Sequence, residues 1–376
     1  MDLAAQLMSR LGIEMKRNRE RYWDREDYVV RRSRRRGNDE ASLFFRTEGC
    51  RYDARGGCTM CDYSVGPPTT SEHMIDSVRR GLEDLPVDLR CVLVSPSGSL
   101  LDEDEVPLEA RQGIFDLLGA TRYPEIAFET RAEIIGDTAM RDCRTRLGDR
   151  SVRVYVGLES SDPWVSTYAL NKDLEGSTFI RAMATLAANS AYGVANILLG
   201  APFLSASEAI TDAEATVRWA LQAGARDVCL FPCHVKRWTQ IEWLYENGAY
   251  RPPSLWAFTE LLARLGPEIA QRVEIAWYTD YGAFNIIESP RTCAKCQASV
   301  TKALDAFAES SEFSIIEDIN ANACKCRAAW LASLDVSDGT DRYQRAVRSY
   351  SQIGQNVFPR WWDKHGADVR ECLRQR

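Results

Sequence analysis

Three cysteines within one short stretch constrain this chain more than any other feature of its sequence. Cys50, Cys58 and Cys61 stand in the spacing C-x7-C-x2-C, on a segment that also carries Gly49, Gly56 and Gly57. The chain has 12 cysteines in 376 residues, and most of them are grouped rather than scattered. In a reducing compartment, grouped thiols point to metal or redox chemistry rather than disulfides. Three thiolates on one loop can bind three irons of a [4Fe-4S] cube and leave the fourth iron open. The alternative is a zinc site that takes its fourth ligand from elsewhere in the chain. Gly56 and Gly57 let the backbone turn sharply around either centre.

The surrounding pattern sets the fold. Short β-branched or apolar runs at 42–46, 91–95, 126–129, 152–158, 194–199 and 227–231 predict strands. Amphipathic stretches at 72–85, 107–118, 137–147, 178–190 and 207–223 predict helices between them, the last capped by Gly224. Strands separated by helices make βα units with a parallel sheet. Six units suit an α/β fold of partial, TIM-like (β/α)6 type, and a strand-like run at 273–278 could extend it. The expected division is an N-terminal helical and basic arm over 1–40, the partial barrel over 41–282, and a cysteine-containing C-terminal extension over 283–376.

In a βα barrel, chemistry gathers at the C-terminal ends of the strands. The three-cysteine loop leaves the first predicted strand at that end. A vacant iron there could be chelated by an amino and a carboxylate group, such as those of S-adenosylmethionine. The next strand ends offer partners for that cofactor. Ser97, Gly98 and Ser99 follow the second strand, with Asp102 beyond, and their carbonyls suit an ammonium group. Glu129 and Arg131 follow the third strand; Glu159 and Ser160 end the fourth. Glu159 suits a ribose hydroxyl, and Arg131 or Ser160 a carboxylate. Cys233 and His234 follow the sixth strand, where a thiol could bind a soft substrate atom or donate hydrogen; Cys229, inside the strand, is expected in the core.

A second group lies near the C-terminus. Cys293 and Cys296 are spaced C-x2-C, and Cys324 and Cys326 C-x-C. Two short-spaced thiolate pairs match a structural zinc site or an auxiliary iron–sulfur cluster, with zinc preferred. Cys91, Cys143 and Cys372 are isolated and expected to pack.

The formal net charge of −7 argues against general nucleic-acid binding. Arg31, Arg32, Arg34, Arg35 and Arg36 are a local exception. They are expected in a solvated, flexible arm, the alternative being a phosphate contact. No apolar run approaches the ~20 residues that span a bilayer, and residues 1–10 lack a signal-peptide core. A cytoplasmic protein without membrane contact is expected.

The segment from Leu43 through Cys61 resembles the radical S-adenosylmethionine subunit of archaeosine synthase and its relatives. So do Ser97 to Asp102, Gly157 to Ser160, Asn171-Lys172, Pro202-Phe203-Leu204 and Tyr250 to Pro253, in the family's order over roughly residues 40–330. The seven-residue gap between the first two cysteines sets this group apart from most radical S-adenosylmethionine enzymes, which use C-x3-C-x2-C. The resemblance implies a partial TIM barrel and reductive cleavage of the cofactor's sulfonium to a carbon radical. It implies a small-molecule or modified-nucleoside substrate and a one-electron donor such as flavodoxin or ferredoxin. In the archaeosine enzyme a C–N bond is broken in a lysine-bearing 7-deazaguanine of tRNA; for this acidic chain tRNA is not the favoured partner. A related bacterial type, which builds arsinothricin, transfers the 3-amino-3-carboxypropyl group to trivalent arsenic, and a thiol such as Cys233 suits arsenic. The opposing class is a non-catalytic zinc-dependent nucleic-acid-binding protein with zinc at both cysteine groups.

Overall fold

The structure is a computed structural model that describes residues 2–17, 19, 26–64, 66–172, 174–280, 282–283, 285–336 and 339–374. In chain order the elements are α1 (Leu3–Lys16), β1 (Tyr28–Arg35), β2 (Asn38–Phe45), α2 (Arg51–Ala54), α3 (Ser71–Glu83), β3 (Cys91–Ser95), α4 (Leu108–Ala120), β4 (Glu125–Thr130), α5 (Asp137–Leu147) and β5 (Ser151–Glu159). There follow α6 (Gly176–Ala188), β6 (Tyr192–Leu199), α7 (Ala206–Gln222), β7 (Asp227–Pro232), β8 (Val235–Lys236), α8 (Gln240–Glu246), α9 (Trp256–Ala270), β9 (Val273–Ile275) and β10 (Ile286–Glu288). Five helices finish the chain: α10 (Ala294–Ser310), α11 (Phe313–Ala321), α12 (Lys325–Leu334), α13 (Arg342–Val357) and α14 (Pro359–Cys372).

Eight strands form one sheet in the order β1-β2-β3-β4-β5-β6-β7-β9. From β2 onward every pairing is parallel, and only β1 runs antiparallel at the edge. This is the curled half-barrel that the βα alternation implied, with β9 as its last parallel strand. Side chains alternate across the sheet with the period of two that a strand imposes. Leu43, Val92, Val94, Ile126, Phe128, Val152 and Val154 pack outward in the main core under the helices. Glu129, Arg153, Tyr155, Gly157, Asn196 and Cys229 face the concave side and line one cavity of about 1860 Å³.

The floor of that cavity is ionic. Arg153 is fully buried and donates to Glu40, Glu125 and the hydroxyls of Tyr155 and Tyr192. Arg35 joins Glu40 at 3.0 Å to Glu274 at 2.9 Å, and Tyr155 donates to Glu274 at 2.8 Å. Glu40, Cys91 and Glu125 lie close enough together for a metal ion, but the Arg153 guanidinium already bridges the two carboxylates.

The arginine-rich segment corrects one expectation. Residues 28–35 are not a loose arm but the edge strand β1, paired along its full length with β2. Arg35 is held by Glu40 and Glu274, Arg36 by Asp227, and the Arg31 guanidinium lies 4.8 Å from the Trp277 ring centroid. Carboxylates on β7 and β9 thus draw the two sheet edges together through side chains. Position 40 falls inside β2. Among the described residues no helix is long and apolar enough to cross a membrane.

Replacing Arg153 with Ala would strand buried carboxylates with too little counter-charge. Removing one partner of a buried ion pair costs about 3–5 kcal/mol, so urea unfolding followed by circular dichroism should show a loss of that order. A loss below about 1 kcal/mol, the range of an exposed pair, would mean that the floor does not need this charge.

Candidate active site

The loop from Cys50 to Cys61 leaves the C-terminal end of β2 and turns its three thiols into the cavity. Its backbone is held from four sides. Gly49 has φ 93°, and a Cβ there would meet the Tyr63 carbonyl at 1.8 Å. Gly56 has φ 76° and packs on the Ser9 carbonyl of α1, where a Cβ would come to 2.0 Å. Only glycine fits these two points. The carbonyls of Gly56 and Gly57 accept from Asn171 Nδ2, both at 3.1 Å, and from Gln240 Nε2 at 3.2 and 3.0 Å. Asp53, buried, accepts from the Ser64 N–H at 2.8 Å and pairs with Lys16 of α1.

Glu105 ties this loop to the next strand end. It accepts from the Arg51 N–H at 2.9 Å and the Ser99 N–H at 2.7 Å, and it pairs with Arg131. Arg131 also binds Asp102 and Glu133, and its Nη1 stands 3.5 Å from the Cys50 sulfur. Its fork is therefore spent on carboxylates of the protein and faces a cysteine rather than a free ligand carboxylate.

The predicted cofactor residues divide by position. Ser97, Gly98, Glu129, Arg131 and Glu159 line the cavity, together with Cys50, Cys58, Cys61 and Cys233. Ser99 and Ser160 are not in its lining. Ser99 is fully buried, shares a hydrogen bond with Thr130 Oγ1 and accepts from the Arg131 N–H at 3.2 Å. Ser160 turns outward and donates to Asp212 at 2.7 Å. The cause lies in β5, where the register against β6 slips between Gly157 and Glu159 and Glu159 takes φ 67°. A bulge of this kind re-aims the side chains that follow it. Ser97 shows the same left-handed backbone, φ 55°, at the end of β3. Such residues cost about 1–3 kcal/mol each and gather at functional sites.

Among the described residues, two buried acceptors in the cavity wall lack partners: Glu159 Oε2 and Asn196 Oδ1. Glu159 uses its other oxygen for Lys172 Nζ at 2.9 Å. Burial opposes the Lys172 charge, but Glu159 and Cys58 outweigh it and hold the ammonium above its ordinary range. Burial also raises Glu129, whose carboxyl accepts from Ser95 and feels Glu159. Burial pushes the Cys58 thiol up to about 12, and Cys50 and Cys61 upward as well. A metal that binds these sulfurs must displace their protons. Burial likewise lifts Cys233 to about 12, and it lowers His234 to about 4, which leaves a neutral imidazole between Ser289 Oγ and the Trp277 carbonyl. Cys229 is buried in β7, as expected of a core residue, yet it also lines the cavity.

Near the C-terminus, Cys293, Cys296, Cys324 and Cys326 converge with all four sulfurs within 4.8 Å of one another. Asn171, Gln240, Asp53 and Glu105 carry no site signal of their own in the sequence, although Asn171 lies in a stretch that carries the family resemblance. Asn196, a polar residue inside an apolar strand, carried a signal of its own.

No protein-family model matches the chain. It is 28% identical to archaeosine synthase subunit beta of Methanosarcina acetivorans over 309 residues, covering 80% of this chain and 86% of that one. Against archaeosine synthase subunit beta of Thermococcus kodakarensis the identity is 26% over 322 residues, covering 82% and 94%. An uncharacterised protein of Methanocaldococcus jannaschii is 28% identical over 307 residues, covering 79% and 82%. Among solved structures, methylornithine synthase aligns with a TM-score of 0.45 at 11% identity, covering 84% of this chain and 91% of that one.

Asp212 supplies a pH test of the Ser160 turn. Burial raises its carboxyl from 3.8 to about 7, against the opposing bond from Ser160. The folded chain then keeps a proton that the unfolded chain releases near pH 4. This contribution is full below about pH 4 and is lost as pH rises through about 7. Thermal melts from pH 4 to 8 should show the parent losing stability relative to Asp212→Asn across that window. Parallel curves would contradict the burial of this carboxyl.

Proposed function

We propose that this relative of archaeosine synthase subunit beta is a radical S-adenosylmethionine enzyme. The observation that carries the reading is the pinned loop that turns Cys50, Cys58 and Cys61 into a deep cavity whose wall holds acceptors without partners among the described residues. The three thiolates would hold three irons of a [4Fe-4S] cluster, and S-adenosylmethionine would take the fourth through its amino and carboxylate groups. When bound and reduced by an external donor of flavodoxin or ferredoxin type, the cluster supplies one electron to the sulfonium and yields a carbon radical.

The chain's own residues do the rest. Glu159 Oε2 and Asn196 Oδ1 offer acceptors to hydroxyl or ammonium donors of a ligand. Lys172 holds one Glu159 oxygen at 2.9 Å and so aims the other. Arg131 places positive charge beside the Cys50 sulfur, where it stabilises the thiolate. Asn171 and Gln240 fix the loop carbonyls, so the sulfurs cannot drift apart.

The cavity exceeds the roughly 300–1,000 Å³ of a typical ligand pocket, which leaves room for a substrate beside the cofactor. The likeness to two archaeosine synthase beta subunits favours a modified nucleoside and C–N bond cleavage. Exposed Arg31, Arg32 and Arg34 at the cavity edge suit a phosphate-bearing substrate. A second reading, transfer of the 3-amino-3-carboxypropyl group to trivalent arsenic, draws on Cys229 and Cys233 in the same cavity.

Product analysis tests these readings. Protein purified without oxygen, reduced with dithionite and given S-adenosylmethionine should release 5′-deoxyadenosine, detected by mass spectrometry. Methylthioadenosine instead would support the arsenic reading. Cys58→Ala should abolish either product and remove the iron that this loop binds. Turnover retained in Cys58→Ala would refute the assignment, and a colourless parent with zinc at both cysteine groups would make the chain a binding protein.

A further inference from the structure

The four C-terminal cysteines form a centre of their own, independent of the first loop. Cys293 caps the N-terminus of α10 and Cys324 that of α12, with Cys296 and Cys326 in the first turns. Their sulfurs stand 3.6 Å apart for Cys293–Cys324, 3.1 Å for Cys296–Cys324 and 3.7 Å for Cys296–Cys326. All four lie within 4.8 Å of one another.

These separations discriminate between metal centres. Four thiolates around one zinc at about 2.3 Å form a tetrahedron with edges of about 3.8 Å. An iron–sulfur cluster distributes its cysteines over two or four irons and spreads the sulfurs well beyond the span seen here. A disulfide would bring one pair to about 2.05 Å, and all four cysteines are free. Two N–H donors are also aimed at sulfur: Trp256 Nε1 at Cys326, 3.4 Å, and the Cys326 N–H at Cys324 Sγ, 3.3 Å. Donors of this sort orient and stabilise thiolate ligands.

We propose that Cys293, Cys296, Cys324 and Cys326 bind a single zinc ion, and that this ion clamps the C-terminal helices against the open side of the half-barrel. The site joins three helices. Trp256 begins α9, Cys293 and Cys296 hold α10, and Cys324 and Cys326 hold α12. Arg327, beside the quartet, reaches Glu260 of α9 at 3.0 Å. From this anchor α10 runs toward the gap between β1 and β9. There Val300, Leu304 and Phe307 are fully buried, Asp305 accepts from Tyr278 at 2.6 Å, and the Glu309 carbonyl accepts from the Gly37 N–H at 2.9 Å. Asp305, Ala308 and Glu309 line the cavity itself. The ion therefore fixes a wall of the site without touching its contents, and four protein ligands leave it no open position for catalysis.

Elemental analysis and zinc-edge X-ray absorption test this on the full chain and on a variant with Cys50, Cys58 and Cys61 all changed to Ala. Both proteins should carry about one zinc per chain with four sulfur neighbours at about 2.3 Å. The variant should lose the iron of the first loop and keep the zinc, so that failure of one cysteine group is distinguishable from failure of the other. Iron and sulfide persisting in the variant, nitrogen or oxygen ligands on the zinc, or less than about a tenth of an equivalent of metal would overturn the proposal. For the clamp, chelating the zinc should speed amide exchange in α10 and α12 by about tenfold or more while β4 to β6 stay protected. Unchanged exchange in α10 would refute that role.

Discussion

The capture of two carbonyls governs the site. Asn171 and Gln240 reach the carbonyl oxygens of Gly56 and Gly57 from distant parts of the chain and hold the loop that carries the thiols. Buried carbonyls of this kind must be paired, and two amide side chains meet that need at one point. Around it, α1 contributes Lys16 to Asp53 and the Ser9 backbone against Gly56. Glu105 joins the loop's Arg51 to the β3 end. Three thiols on a loop of one short helix and several turns thus become a preorganised set at the rim of a barrel.

The barrel supports this rim from below by charge rather than by apolar filling. Arg153 and Arg35 share Glu40, Glu125 and Glu274 on the inner face, while the outer face of the same strands is aliphatic and packs on helices. An open half-barrel cannot interleave large side chains from an opposite wall, so its floor uses long polar side chains that bridge the space. The same need accounts for Arg35 at the end of β1 and Arg36 in the turn after it, which reach acidic groups on β9 and β7 and bring the two edges near each other.

Much of this was legible in the sequence, for identifiable reasons. The parallel strands are short runs of Val, Ile, Leu and Phe between amphipathic helices, and their positions fell within a few residues of the observed β2 to β7. The three-cysteine loop and the C-terminal quartet were legible because thiols at short spacing have few other uses. Strand β1 was not: a run of five arginines looks solvated until Glu274 and Asp227, more than 190 residues away, are seen beside it. Asn171 and Gln240 were hidden in the same way, since their partners lie 114 and 183 residues distant. The position of Ser160 outside the cavity lining was not legible, because a bulge in β5 turns the chain just before it and no sequence period announces a bulge.

Mössbauer spectroscopy on iron-57-enriched protein prepared without oxygen reads the central claim most directly. The account predicts a four-iron cluster in which one iron differs from the other three, and whose signal alone shifts when S-adenosylmethionine is added. Four irons that all stay unmoved by the cofactor, or no cluster at the Cys50 loop, would contradict it.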